Sequence, residues 1–391
     1  MKRFRLKIDI TIKYLFLQKS DKVFAEYSSK KSLNIGMASI DGAIPLEQGA
    51  MKSAAKQAQY LEYINNFRGF VILLVVGIHI LLEWPAGSKT HLVMDIIFQD
   101  CTIMFVFMSG FLFQHLAFKF EYRTYLRKKF QNVILPYFII SIPILCYRLY
   151  LNDIPGIVTA VHPDFASWSK GEQLIYYITR GAHMPQLWFI PVIAIYYLLA
   201  PVLINIDRRP KLYFIVFPAL VALSIYIQRG ENLSDTPRTA TYFLSAYMFG
   251  MIMSRYRDQY LVFARKYWIL LTAVILIAAW ACYHFKIIHG PFMYLQKMYS
   301  CAFFLLLFWK LADRAPKYLS TLAAYSFAIY FLHYYYVLIV RILGEKLTGG
   351  PIPGNLLNWL ICFTAVMVCT VLTIMIIKKL TGKNSRMLIG S

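Results

Sequence analysis

The chain has 391 residues, 59% of them hydrophobic and only 15% charged, with a formal net charge of +22. That balance excludes an ordinary soluble enzyme and a disordered chain, and it places the protein among membrane proteins. A net positive charge also suits nucleic acid, but beyond residue 61 most of it falls in short stretches between apolar runs, so no nucleic-acid partner is expected.

Residues 1–61 open with "MKRFRLKIDITIKYLFLQKS", whose short apolar stretches are broken by charge and followed by no small-residue cleavage site. They read as a cytoplasmic N-terminal extension able to lie on anionic lipid. From 62 to 380 the chain parses into ten apolar runs: 66–84, 93–118, 133–150, 186–205, 212–228, 239–254, 268–285, 292–310, 319–342 and 355–377. Each is close to the length of about 20 residues that spans hydrocarbon as a helix. Barrel strands would instead be alternating segments of about ten residues. The predicted fold is all-α, a polytopic membrane helical bundle of about ten transmembrane helices, with residues 381–391 as a cytoplasmic tail.

With the N-terminus inside, the inner loops and tail carry nineteen Lys and Arg against seven outside. The positive-inside rule then puts both termini in the cytoplasm. The 151–185 segment is the longest outer loop and reads as a lid or binding element. All six cysteines fall in apolar runs without metal-ligand spacing, so they read as packing residues and no metal site is expected.

An ionisable residue inside a membrane is a functional candidate. In "NFRGFVILLVVGIH" Arg68 and His79 are eleven residues apart. At about 3.6 residues per turn they share one helical face, about 16 Å apart along the axis. Glu83 follows His79 by one turn and is placed to hold an imidazole proton. Asp100 on the second run is a partner for a cation or for His79. His183, before the fourth run, and the intramembrane His333 are candidate contacts for an acceptor. The alternatives are snorkelling for Arg68, interfacial anchoring for Asp100, solvation for His183, and plain hydrogen bonding for the intramembrane histidines. Arg123, Arg127, Lys128 and Lys129 form a basic cluster that suits phosphate or anionic lipid.

These pieces stand in a characteristic order: "RGFVILLVVGIH", "MFVFMSGFLF", "RKKFQNVILPYFI", "LWFIPVIAIYYLLAPVL" and "YSFAIYFLHYYY". In that order the chain resembles the integral-membrane acyltransferase 3 family, the O-acyltransferases of bacterial surface glycans, from about 62 to 380. The resemblance implies a ten-helix core in the bacterial cytoplasmic (inner) membrane. Such a core takes an acyl group, usually acetyl, from cytoplasmic acyl-CoA to a hydroxyl of an envelope polysaccharide, glycolipid or lipid-linked sugar. The family's paired Arg and His fall on Arg68 and His79, and its basic motif falls on Arg127 to Lys129. Here the sequence departs, because Gln131 and Asn132 stand where a second cation is common.

On this reading Arg68, Arg127, Lys128 and Lys129 hold the CoA phosphates. His79, oriented by Glu83 or Asp100, acts as general base or becomes acylated itself. The oxyanion donor stays open among a tyrosine, Trp188 and Ser109. Trp188, with Trp168 and the "HYYY" run, offers flat faces for a sugar ring. Two other classes compete: a transporter or flippase of a lipid-linked sugar or anionic solute, and a scaffold whose polar residues only lock helices together.

Overall fold

The computed structural model describes residues 62–230, 235–312 and 314–391. The extension expected over 1–61 lies outside them. Helix α1 covers 62–78, α2 Lys89–Phe98, α3 Thr102–His115 and α4 Tyr122–Lys129. A π-turn at Phe130–Ile134 leads into α5 (Leu135–Leu151). Next come α6 (Gly156–Val161), α7 (Lys170–Arg180), α8 (Phe189–Leu198), α9 (Ala200–Arg208) and α10 (Tyr213–Ile227). The chain continues through α11 (Thr236–Arg255), α12 (Arg257–Lys266), α13 (Trp268–His284), α14 (Gly290–Lys310) and α15 (Lys317–Thr348). It ends with α16 (Leu356–Thr381) and α17 (Ser385–Ile389).

Every expected apolar run contains helix, but fewer of them qualify as spans than expected. Among the described residues six helices are long and apolar enough to cross a membrane, or eight if the bent pairs α8–α9 (56°) and α12–α13 (85°) each count as one. The two expected runs outside this set are α1 and α11. They pack in the interior, where neighbouring helices replace lipid as the surroundings. A helix so enclosed is free to carry polar residues, and α11 buries Thr236, Thr239, Ser245 and Ser254.

The closest helix packing is between α3 and α11, and glycine permits it. A Cβ at Gly110 would lie 1.9 Å from the Tyr247 carbonyl oxygen, and one at Gly250 would lie 2.0 Å from that of Phe107. Both obstacles are backbone, so no side-chain rotation relieves them. Gly250→Leu is therefore expected to destabilise the fold by about 3 kcal/mol or more through overpacking. Thermal melting in detergent checks this, and a melting temperature equal to wild type would refute the backbone contact.

Three local expectations change. The first run breaks after residue 78, and the chain runs extended through Glu83, whose backbone bridges in parallel to Pro353. The second run is interrupted at 99–101, where Asp100 adopts φ 55°. The 151–185 segment folds into short helices around Phe165, which packs on Trp168, Tyr176 and Tyr177 at ring-centroid distances of 4.9, 5.3 and 5.3 Å. Its aromatics thus form the core of a small cap. Of the cysteines, Cys146 and Cys369 are exposed rather than packed.

Candidate functional site

His79 is the residue at which α1 ends. Its Nδ1 lies 2.7 Å from the carbonyl of Val75, one turn back. A carbonyl only accepts, so Nδ1 carries the proton, and in the neutral ring Nε2 is left as the basic nitrogen. His333 repeats the arrangement, with Nδ1 2.9 Å from the Ile329 carbonyl. Its Nε2 is buried and without a hydrogen-bond partner. The two imidazoles meet edge to face at 5.2 Å between centroids, and Tyr334 lies 5.9 Å from His79.

A small pocket opens beside His79. Val75, Thr102, Gln186, Trp188 and Tyr330 help to line it. Thr102 reaches it because the break at 99–101 restarts α3 there. Gln186 is held from behind, since the Tyr330 hydroxyl donates to its backbone carbonyl at 2.6 Å. The Gln186 side chain is 2% exposed, its Oε1 has no partner, and its amide nitrogen reaches only the Met184 sulfur at 4.0 Å. A buried amide with so little satisfied is a candidate for contact with a bound ligand.

Trp188 stacks on Phe243 at 5.4 Å. Over its ring lies the guanidinium of Arg229, 6.0 Å from the centroid. Arg229 forms an ion pair with Asp100. The buried Lys297 ammonium donates to the carbonyls of Ile96 at 2.7 Å and Ile97 at 2.9 Å, closing the C-terminal end of α2.

The predicted residues therefore separate. His79, His333 and Trp188 come together. Asp100 lies close by but answers to Arg229, not to the imidazole. Glu83 does not stand one turn beyond His79, because the helix has already ended; its side chain is exposed, and its backbone pairs with residues 352–354. His183 belongs to the cap formed by 151–185. Its Nδ1 donates to the Tyr177 carbonyl at 3.0 Å, and the Ser141 hydroxyl donates to Nε2 at 2.7 Å. Arg148 binds the His183 carbonyl at 2.7 Å. Ser109 spends its hydroxyl on the Phe105 carbonyl at 3.0 Å.

His183 is fully buried outside the spans, and burial lowers its pKa from 6.5 to about 4. Between those values the unfolded chain holds more protons than the folded one, so stability rises with pH across the window. The contribution is complete above about 6.5 and is lost as pH falls toward about 4. Proteolysis within 156–180 is expected to accelerate over that range, and much less so in His183→Gln. A flat proteolysis profile in wild type would contradict this.

At the other end of α1, Arg68 has a buried Nε with no partner. Of the predicted basic cluster, Arg127 and Lys128 are exposed on α4. Only Lys129 turns inward, its ammonium 4.9 Å from the ring centroid of Tyr197 and 5.4 Å from that of Tyr125. No group of His, Cys, Asp and Glu among the described residues is arranged to hold a metal.

Sequence reasoning missed Gln186, Tyr330 and the partner role of Arg229. The "HMPQLWF" stretch did hold a signal, a lone Gln between His183 and Trp188 at the start of an apolar run. A family model described as an acyltransferase domain matches residues 61–377. No curated protein and no solved structure matches the chain.

Proposed function

The chain belongs to the acyltransferase 3 family, and from that premise we propose that it is a multi-pass O-acyltransferase of the bacterial cytoplasmic membrane. It moves an acyl group, acetyl in the simplest case, from cytoplasmic acyl-CoA to a hydroxyl of an envelope polysaccharide, glycolipid or lipid-linked sugar. The observation that carries this reading is His79, its Nδ1 proton held by the Val75 carbonyl and its basic nitrogen free at the edge of the pocket.

In the direct route His79 Nε2 takes the proton from the acceptor hydroxyl while its oxygen attacks the thioester carbonyl. The carbon–sulfur bond breaks, and the thiolate leaves with the proton returned by the imidazolium. In the covalent route Nε2 attacks the thioester first, the carbon–sulfur bond breaks and CoA leaves as the thiolate; the acceptor hydroxyl then opens the acyl-imidazole, its proton passing to the thiolate or to water as Nε2 is set free. Either route builds negative charge on the carbonyl oxygen. The Gln186 amide is the best-placed donor to meet it, since Ser109 is already committed to a backbone carbonyl. Trp188 supplies an apolar face for a sugar ring.

Arg68 and Lys129 serve the donor's phosphates on the cytoplasmic side. The distance of about 16 Å along α1 from Arg68 to His79 is bridged by the extended pantetheine arm. The orphaned Arg68 Nε and the inward turn of Lys129 support that assignment.

The test is release of free CoA by purified protein in lipid, given acetyl-CoA and an extract of envelope glycans. The expected result is CoA release that requires the glycan, with acetyl recovered on it. Movement of sugar or solute across the bilayer with no thioester consumed would overturn this reading in favour of a transporter.

A further inference from the structure

The residues that line the pocket beside His79 divide by chemistry. Thr102 and Gln186 carry polar groups, while Val75, Phe105 and Phe189 present apolar surface. Val75, one turn before His79 on α1, holds the imidazole through its backbone carbonyl and lines the pocket as well. Phe105 lies one turn into α3 after Thr102, and Phe189 opens α8 directly after Trp188. Proton transfer and stabilisation of an oxyanion need the polar groups, and they need nothing of the three apolar side chains.

Those side chains have little freedom to retreat. Phe105 meets Phe189 edge to face, with 5.5 Å between ring centroids and 80° between planes. Phe189 meets Tyr330 in the same way at 5.8 Å and 68°. Phe105 is also packed against Phe327 at 6.0 Å and 70°. Tyr330 is fixed in turn by its hydroxyl, which donates to the Gln186 carbonyl at 2.6 Å. Val75, Phe105 and Phe189 are all buried. Rings packed this closely have no empty space to move into, so a larger guest enters only at the cost of strain.

We propose that Val75, Phe105 and Phe189 form a wall that sets the length of the acyl group, accepting acetyl and turning away butyryl. This rests on the acyl transfer proposed above and extends it to the choice of donor. A thioester carbonyl within reach of His79 Nε2 carries the sulfur and its long arm on one bond and the acyl tail on the other. The arm leads away to the phosphates, and the tail is left to the small pocket. The depth available to it is counted from Nε2. Val75 and His79 share one turn of α1, so the backbone fixes the place of that side chain against that nitrogen. Butyryl is two methylenes longer than acetyl, and one methylene in a hydrophobic pocket changes kcat/KM by about 10–200-fold.

The experiment measures kcat/KM of the full-length protein in lipid for acetyl-CoA and butyryl-CoA with the same extract of envelope glycans, reading free CoA and the acyl group recovered on the glycan. The ratio of the two values for one preparation does not depend on how much of a variant is folded. Wild type is expected to favour acetyl by about a hundredfold or more. Phe105→Leu and Phe189→Leu each free space of the order of one methylene and are expected to raise the butyryl-to-acetyl ratio about tenfold. The control is Phe107→Leu, which takes an equally buried ring from the same helix as Phe105, but one packed on Phe67 and Phe249, and its ratio is expected to stay at the wild-type value. Turnover by wild type with butyryl as good as acetyl, or a ratio unmoved in both Phe105→Leu and Phe189→Leu, overturns the wall and leaves acyl transfer standing. A shift in Phe107→Leu as large as in Phe105→Leu overturns it too, since loosening the core anywhere would then suffice. Consumption of neither thioester by wild type overturns acyl transfer and this inference with it.

Discussion

His79→Ala is expected to lower acyl transfer by a factor of about 10²–10⁴, the usual worth of a positioned general base, while leaving the protein folded. The ring sits at the last turn of α1 and is held by one bond to the Val75 carbonyl, so its removal frees a carbonyl at a helix end, where such groups are ordinarily exposed. The loss should appear in kcat rather than in donor binding, because the cations lie at the opposite end of α1. His333→Phe keeps an aromatic ring against His79 and is expected to cost far less, since His333 touches the pocket only through its partner imidazole. Glycan-dependent CoA release separates these outcomes. Full activity in His79→Ala would make the histidine a packing residue and the mechanism wrong. A collapse of His333→Phe as deep as that of His79→Ala would mean that the two imidazoles act as a unit.

What the sequence reveals about this site is what lies on one helix. The eleven-residue interval from Arg68 to His79 is a local property, and α1 preserves it almost to its end. Glu83 shows the limit of the same argument. A helical period extrapolates only while the helix lasts, and α1 has stopped before Glu83, whose backbone pairs instead with 352–354, more than 260 positions away in the chain. Nothing near Glu83 announces that pairing. His333 is legible as an intramembrane histidine, but its position against His79 is a fact of packing between α1 and α15. The polar character of α11 reads as a weakness in a hydropathy profile, and it becomes intelligible only once α3 is seen pressed against it through Gly110 and Gly250. The role of Asp100 is the clearest case of the non-local kind. Two of its expected partners were a cation and His79, and the cation proved to be Arg229, 129 residues away.

That pair yields the second large effect. Arg229→Met is expected to destabilise the protein by about 3 kcal/mol, because it leaves the Asp100 carboxylate, with a side chain only 5% exposed, without its counter-charge. Arg229 is itself 26% exposed at the side chain, so the loss belongs to the stranded carboxylate more than to the arginine. Removing both charges removes the cause. The double variant Asp100→Leu with Arg229→Met should recover most of the stability, a coupling of the size expected for a buried pair and absent for independent sites. Thermal melting of the two single variants and the double variant in detergent closes the cycle. Its activity then separates two roles for Asp100. A folded double variant that still releases CoA assigns the pair to holding the α2–α3 break in place. One that is folded, binds donor and yet turns nothing over would mean that the charges act on the chemistry, through Trp188 beneath Arg229 or through a proton path to His79. The first outcome is expected, because Asp100 is directed to Arg229, and His79 already has its proton fixed by Val75. Additive losses in the double variant would show instead that the ion pair contributes nothing as a pair, and that each residue is held by contacts of its own.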